Sequence, residues 1–111
     1  MAEISEEARE LLTAFQNYQQ QLQSILVQKE SLKLQNAEIS EALKELETTN
    51  QKSAYKITGG IMISKPVTDI KKELEELQES MSVKIKSLEK NEEKLTSKLK
   101  ELQTKLQEVV K

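Results

Sequence analysis

Two acidic clusters are the densest groups in this sequence that could do chemistry: Glu73, Glu75, Glu76 and Glu79, then Glu89, Glu92 and Glu93. Converging carboxylates hold hard cations, but a calcium site draws its oxygens from a tight loop turned by a glycine. Neither cluster has one. On helices, Glu75/Glu79 and Glu89/Glu93 are like-charged i,i+4 pairs that repel one another, so the clusters read as a water-facing surface with no metal. Composition removes other chemistry. The sequence holds no His and no Cys, and with them go the commonest general base, the strongest soft nucleophile, most transition-metal ligand sets and any disulfide. Gly59-Gly60 is followed by Ile-Met-Ile-Ser and not by Lys-Ser/Thr, and no G-x-G-x-x-G occurs, so no phosphate-cradling loop is present. The expectation is a protein that is not an enzyme and carries no cofactor.

The 17 basic and 19 acidic residues interleave to a net charge of -2. Phosphate-backbone binding needs a basic stripe, so nucleic acid is not expected as a partner. No stretch is apolar over the length a membrane helix needs, and MAEISEEARELLTAF at the start lacks the basic run and apolar core of a secretory signal. The chain reads as cytoplasmic, with no membrane partner.

These residues must be carried by long helices. One Pro, two Gly and 32% charged residues in 111 are the composition of a coiled coil, and aromatics at 3% rule out a thick core. From Ile4 to Asn50 a 4-3 alternation runs through Ile4, Ala8, Leu11, Phe15, Tyr18, Leu22, Ile25, Lys29, Leu32, Asn36, Ile39, Leu43, Leu46 and Asn50, which is a heptad seam. Ser5 before Glu6 and Glu7 is an N-cap signal. A second seam follows Pro66, with Thr68 or Asp69 as cap: Ile70, Leu74, Leu77, Met81, Ile85, Leu88, Glu92, Leu95, Leu99, Leu102, Leu106 and Val109. Two consecutive four-residue steps, Leu77 to Met81 to Ile85, form a stutter.

Between the seams the apolar period drops to about two, and Gly59-Gly60 separates two β-branched runs, the signal of a hairpin with a primed turn. Tyr55 and Ile57 share one face of the first strand, Ile61 and Ile63 share one face of the second, and Met62 points the other way. The fold predicted is mainly α: a long antiparallel two-helix coiled coil joined by one β-hairpin that oligomerises into a β-barrel. One domain spans 1–111, with helices over 4–52 and 69–111 and the hairpin over 54–65.

Antiparallel helices advance at equal rise in opposite directions, so facing seam residues should have numbers that add to a constant. Leu46/Leu74, Leu43/Leu77, Ile39/Met81, Leu32/Leu88, Ile25/Leu95, Tyr18/Leu102 and Leu11/Val109 all do. Lys29 falls opposite Glu92, which predicts a contact across the seam rather than two side chains snorkelling to solvent, and Asn36 falls opposite the stutter.

Two surfaces are left without cover. A lone hairpin is marginal in water, and its apolar residues and open edges form an association template, so Tyr55, Ile57, Gly59, Gly60, Ile61, Met62 and Ile63 are the expected oligomerisation site. At the free helix ends, Leu12 and Val110 sit beside Leu11 and Val109 and widen the apolar seam. That excess suits either ordinary end packing or a surface offered to a partner.

The hairpin segment from Ala54 to Lys65, preceded by Tyr18-Gln-Gln-Gln-Leu22 and followed by Glu73-Leu-Glu-Glu-Leu77, resembles the β-type subunits of prefoldin, a hexameric co-chaperone. The likeness covers essentially the whole chain; its single hairpin distinguishes it from α-type subunits, which carry two, and its end at Lys111 without a tail is similar to archaeal-type subunits. The resemblance implies a jellyfish-shaped hexamer of two prefoldin α-type and four β-type subunits, its hairpins building a double β-barrel. It further implies capture of non-native client proteins without ATP at the coiled-coil tips, here Ile4, Ala8, Leu11, Leu12, Phe15, Leu106, Val109 and Val110, and delivery to a group II chaperonin. A structural coiled-coil scaffold or tether without client binding is the alternative.

Overall fold

The computed structural model describes residues 5–109 in full and the backbone of Val110. Four elements follow in order: α1 (Glu6–Thr48), β1 (Ser53–Thr58), β2 (Ile61–Pro66) and α2 (Val67–Val110). This is the expected pair of long helices joined by a two-stranded antiparallel hairpin. The chain divides into two compact units, one formed by Ser31–Ile85 and the other by the described residues on either side of it.

The start of α1 is the one its sequence signals. The Ala8 amide donates to Ser5 Oγ at 3.1 Å and the Arg9 amide to the Ser5 carbonyl at 3.0 Å, an N-cap with Glu6 and Glu7 in the first turn where carboxylates favour the helix dipole. The helix stops at Thr48, short of the expected 52. There Thr48 Oγ1 donates back to the Lys44 and Glu45 carbonyls, at 3.4 and 3.3 Å, while the Gln51 amide donates to Thr49 Oγ1 at 3.2 Å. Such local threonine bonds offer the backbone an alternative to continuing the helix.

Helix α2 starts two positions earlier than Asp69, directly after Pro66. The Val67 amide, free at a helix start, donates to the Lys52 carbonyl at 2.9 Å and so closes the base of the hairpin. Thr68 and Asp69 therefore lie within the first turn rather than at the cap, and Asp69 acts there through the helix dipole.

In the unit Ser31–Ile85 the seam buries Ile39, Val67, Ile70, Met81 and Ile85, with Leu32, Leu43, Leu46 and Leu74 half-buried. Asn36 is also in the seam, and its Oδ1 is sealed from solvent without a hydrogen-bond partner among the described residues. One seam residue is displaced. Leu77 turns outward and is 46% exposed, while Gln78 turns in and donates from Nε2 to Ser40 Oγ on α1 at 2.7 Å. The consecutive four-residue steps thus run Ile70 to Leu74 to Gln78, about two turns nearer the hairpin than the sequence pattern placed them, because the Gln78–Ser40 bond satisfies an amide that could not otherwise enter the seam.

Burial then sets what truncation costs. Met81→Ala, at a buried position, should lower unfolding free energy by about 2–5 kcal/mol, and Leu77→Ala by less than about 1 kcal/mol. Urea unfolding of the two variants checks this, and equal losses would restore Leu77 to the seam.

In the other unit Ala8 and Leu102 are the most buried side chains, at 4% and 5% exposure. Tyr18, Leu22, Ile25, Leu95 and Leu99 are half-buried along the same seam, as a thin two-helix seam requires. Lys29 Nζ meets Glu92 Oε1 at 2.5 Å, the contact that the residue numbering predicts. The bond it donates to Glu92 holds the Lys29 ammonium above the ordinary lysine value of 10.5. Its contribution is therefore complete below that pH and is lost as pH rises through the raised value.

Candidate functional site

The hairpin turns on Gly59 and Gly60, with φ of 55° and 81°. Positive φ at both central residues of a two-residue loop is the primed turn that matches the strand twist. A Cβ at either glycine would meet nothing within 4 Å, so a substitution pays in backbone conformation alone. Gly59→Ala and Gly60→Ala should each destabilise the turn by about 1–2 kcal/mol, with asparagine costing less. Hydrogen exchange of the hairpin amides reads the effect, and unchanged protection in both alanine variants would contradict it.

Pairing fixes which side chains share a face. Tyr55 lies opposite Ser64 and Ile57 opposite Met62, while Ala54, Lys56 and Thr58 lie opposite Lys65, Ile63 and Ile61. Directly opposed residues point to the same side of a sheet. One face therefore carries Tyr55, Ile57, Met62 and Ser64, without charge. The other carries Ile61 and Ile63 together with Lys56 and Lys65. Alternation within each strand left this pairing of faces open. Tyr55 and Ile57 keep 72% and 71% of their surface exposed, Met62 66% and Ile61 63%. The sheet has only two strands, so each has an outer edge without a partner among the described residues.

A single carboxylate joins both strands to α2. Glu73 Oε1 accepts from Lys65 Nζ at 2.7 Å and Glu73 Oε2 from Lys56 Nζ at 2.8 Å. The bonds from Lys56 and Lys65 lower the Glu73 carboxyl to about 2 from its ordinary 4.5. A depressed carboxyl pKa stabilises the folded arrangement above the ordinary value, and that contribution is lost as pH falls from 4.5 toward 2. An NMR titration of Glu73 should show the low midpoint, returning toward 4.5 in Lys56→Met/Lys65→Met. An ordinary midpoint in the native chain would dissolve the bridge. Reading Glu73 as part of a water-facing acidic cluster missed this role. No spacing in the sequence marks it, because Lys56 and Lys65 come to share a face only once the strands pair.

The expected tip residues are distributed unevenly. Ala8 is buried and serves the packing of the two helices. Leu11, Phe15, Leu106 and Val109 are half-buried, and Leu12 is 40% exposed. Ile4 and the Val110 side chain lie outside the described residues. Among the described residues no three carboxylates converge on a metal position, and no helix is long and apolar enough to cross a membrane.

Comparison with known proteins places this arrangement. Residues 9–111 match the family model for prefoldin subunits. The chain is 32% identical to the prefoldin subunit beta of Archaeoglobus fulgidus, over 99% of this chain and 96% of that one. It is 37% identical to the prefoldin subunit beta of Thermococcus onnurineus, over 96% and 93%. The crystal structure of the prefoldin beta subunit from Thermococcus strain KS-1 superposes with a TM-score of 0.86 at 33% identity, covering 97% of this chain and 96% of that one.

Proposed function

Because the chain belongs to the prefoldin subunit family, as a β-type subunit, we propose that it works as an ATP-independent holdase within a complex built through its hairpin. Family membership carries the general co-chaperone role and assembly with other prefoldin subunits. In the finer reading, two α-type and four β-type chains form a cytoplasmic hexamer whose hairpins close into β-barrels. Closure would pair the open edges and bury the side chains that the single chain exposes. The observation that carries the reading is the hairpin itself: both of its faces present large apolar residues to solvent.

Non-native proteins are then held at the helix ends, by Leu12 with the exposed parts of Leu11, Phe15, Leu106 and Val109, joined by Ile4 and Val110. Each contact is small. Several copies acting on one unfolded chain bind tightly by multivalency while any single contact releases easily, which suits a holdase that passes its client to a group II chaperonin without ATP.

The test is to mix the purified chain with a prefoldin α-type subunit, measure the mass by light scattering, and add the complex to a protein diluted from denaturant. Suppressed aggregation by a complex of both subunits is expected. A self-sufficient assembly of this chain that leaves aggregation unchanged would favour a structural scaffold instead.

A further inference from the structure

We propose that Glu73 is a positioning residue for assembly: it sets the hairpin on α2 so that the Tyr55, Ile57 and Met62 face is presented to the hairpins of other prefoldin subunits. The proposal deepens the reading of the hairpin as the assembly surface and rests on it.

Little else holds the hairpin's orientation. Tyr55, Ile57, Ile61 and Met62 are mostly exposed and give the strands no apolar seat on the helices. Residues 49–52, which lead into β1, have no helix or strand structure. The Val67 amide bonded to the Lys52 carbonyl closes the base of the hairpin, and β2 passes directly into α2 at Val67, but both restraints act at the base, away from the turn. Glu73 acts on the strands themselves. Its two oxygens take one ammonium from each strand, Lys56 from β1 and Lys65 from β2. The base bond and these two anchors tie the hairpin to α2 three times, with one anchor on each strand.

The chemistry of the faces gives the clamp its direction. Lys56 and Lys65 share the face that carries Ile61 and Ile63, so the bridge turns that side toward α2. The uncharged face of Tyr55, Ile57 and Met62 is left to meet another chain. Fixing a surface before it binds removes part of the ordering cost of association. Partly exposed ion pairs, at 34–42% side-chain exposure here, contribute little to fold stability. Removing the bridge should thus weaken assembly far more than it weakens the chain.

Glu73→Gln keeps the shape and deletes the charge. With the full chain and an α-type subunit, it should raise the concentration for half-assembly at least about tenfold while helical content and the urea midpoint stay at wild-type values. Spin labels on Thr58→Cys and Glu76→Cys should give one narrow distance in the wild-type background and a broad distribution with Glu73→Gln. Glu73→Arg combined with Lys56→Glu and Lys65→Glu rebuilds the bridge with reversed charges, and should recover both assembly and the narrow distance. Wild-type assembly by Glu73→Gln, failure of the reversed bridge, or a loss of helix in step with the loss of assembly would each overturn the proposal. A wild-type chain that does not assemble through its hairpin at all would overturn the underlying reading, and the proposal with it.

Discussion

Ile57→Asp combined with Met62→Asp should yield a chain as helical as the wild type that no longer joins other subunits. The two residues face each other across the strands and are 71% and 66% exposed in the single chain, so the fold of the chain loses almost nothing when they change. An assembled barrel would lose both side chains from its apolar interior. Full burial of residues of this size is worth about 1.5–3 kcal/mol each, and a carboxylate sealed in an apolar interior costs more still. The lost burial alone comes to about 3–6 kcal/mol, or about a hundredfold to ten-thousandfold in association. Circular dichroism and light scattering on the same sample decide the matter. The same substitutions at Ile39 and Met81, which are buried in the seam, should instead unfold the chain. A full-size complex from the Ile57/Met62 variant would remove the hairpin from the assembly.

Removing both tips should have the second largest effect, and of the opposite kind. Deleting residues 1–12 and 106–111 takes away Leu11, Leu12, Leu106 and Val109 but leaves the hairpin and the Glu73 bridge untouched. Assembly should persist, while suppression of aggregation falls to background. The loss is steep because it acts on every copy at once: when several weak contacts hold one client, avidity of about 10²–10⁴ over a single contact disappears with them. A milder variant, Leu12→Ser with Val109→Ser, should raise the amount of complex needed for half-suppression several-fold. Full holdase activity in the doubly truncated complex would contradict the placement of clients at these ends.

Where periodicity alone determines structure, residue spacing was a sufficient guide. The heptad repeat predicted both helices and the Lys29–Glu92 pair, since an antiparallel seam has one register for a given set of facing residues. Gly59-Gly60 predicted the turn, because two positive φ values are cheap only for glycine. The departures arise where polar bonds or side-chain size override the apolar pattern. Leu77 looked like a seam residue until the Ser40 hydroxyl on α1 gave Gln78 a partner and drew it inward. Helix α1 ends at Thr48 through local hydroxyl bonds that the apolar period does not register. Glu73 is indistinguishable along the sequence from Glu75, Glu76 and Glu79; only folding brings Lys56 and Lys65 onto it. Ala8 fits the tip by position, yet its small side chain is buried between the helices.

Holding of clients at the tips of a chain whose hairpin is occupied by assembly is the proposed mode of action. It is tested most directly by a photo-cross-linking residue placed singly at Leu12, Met62 or Val83 in the assembled complex. Val83 is the control, because at 64% exposure it is more open than Leu12 at 40% and lies outside both surfaces. With a denatured client present, Leu12 should give client adducts, Met62 should give adducts to other subunits, and Val83 should give neither in quantity. Client adducts concentrated at Met62 or Val83, with none at Leu12, would contradict the account.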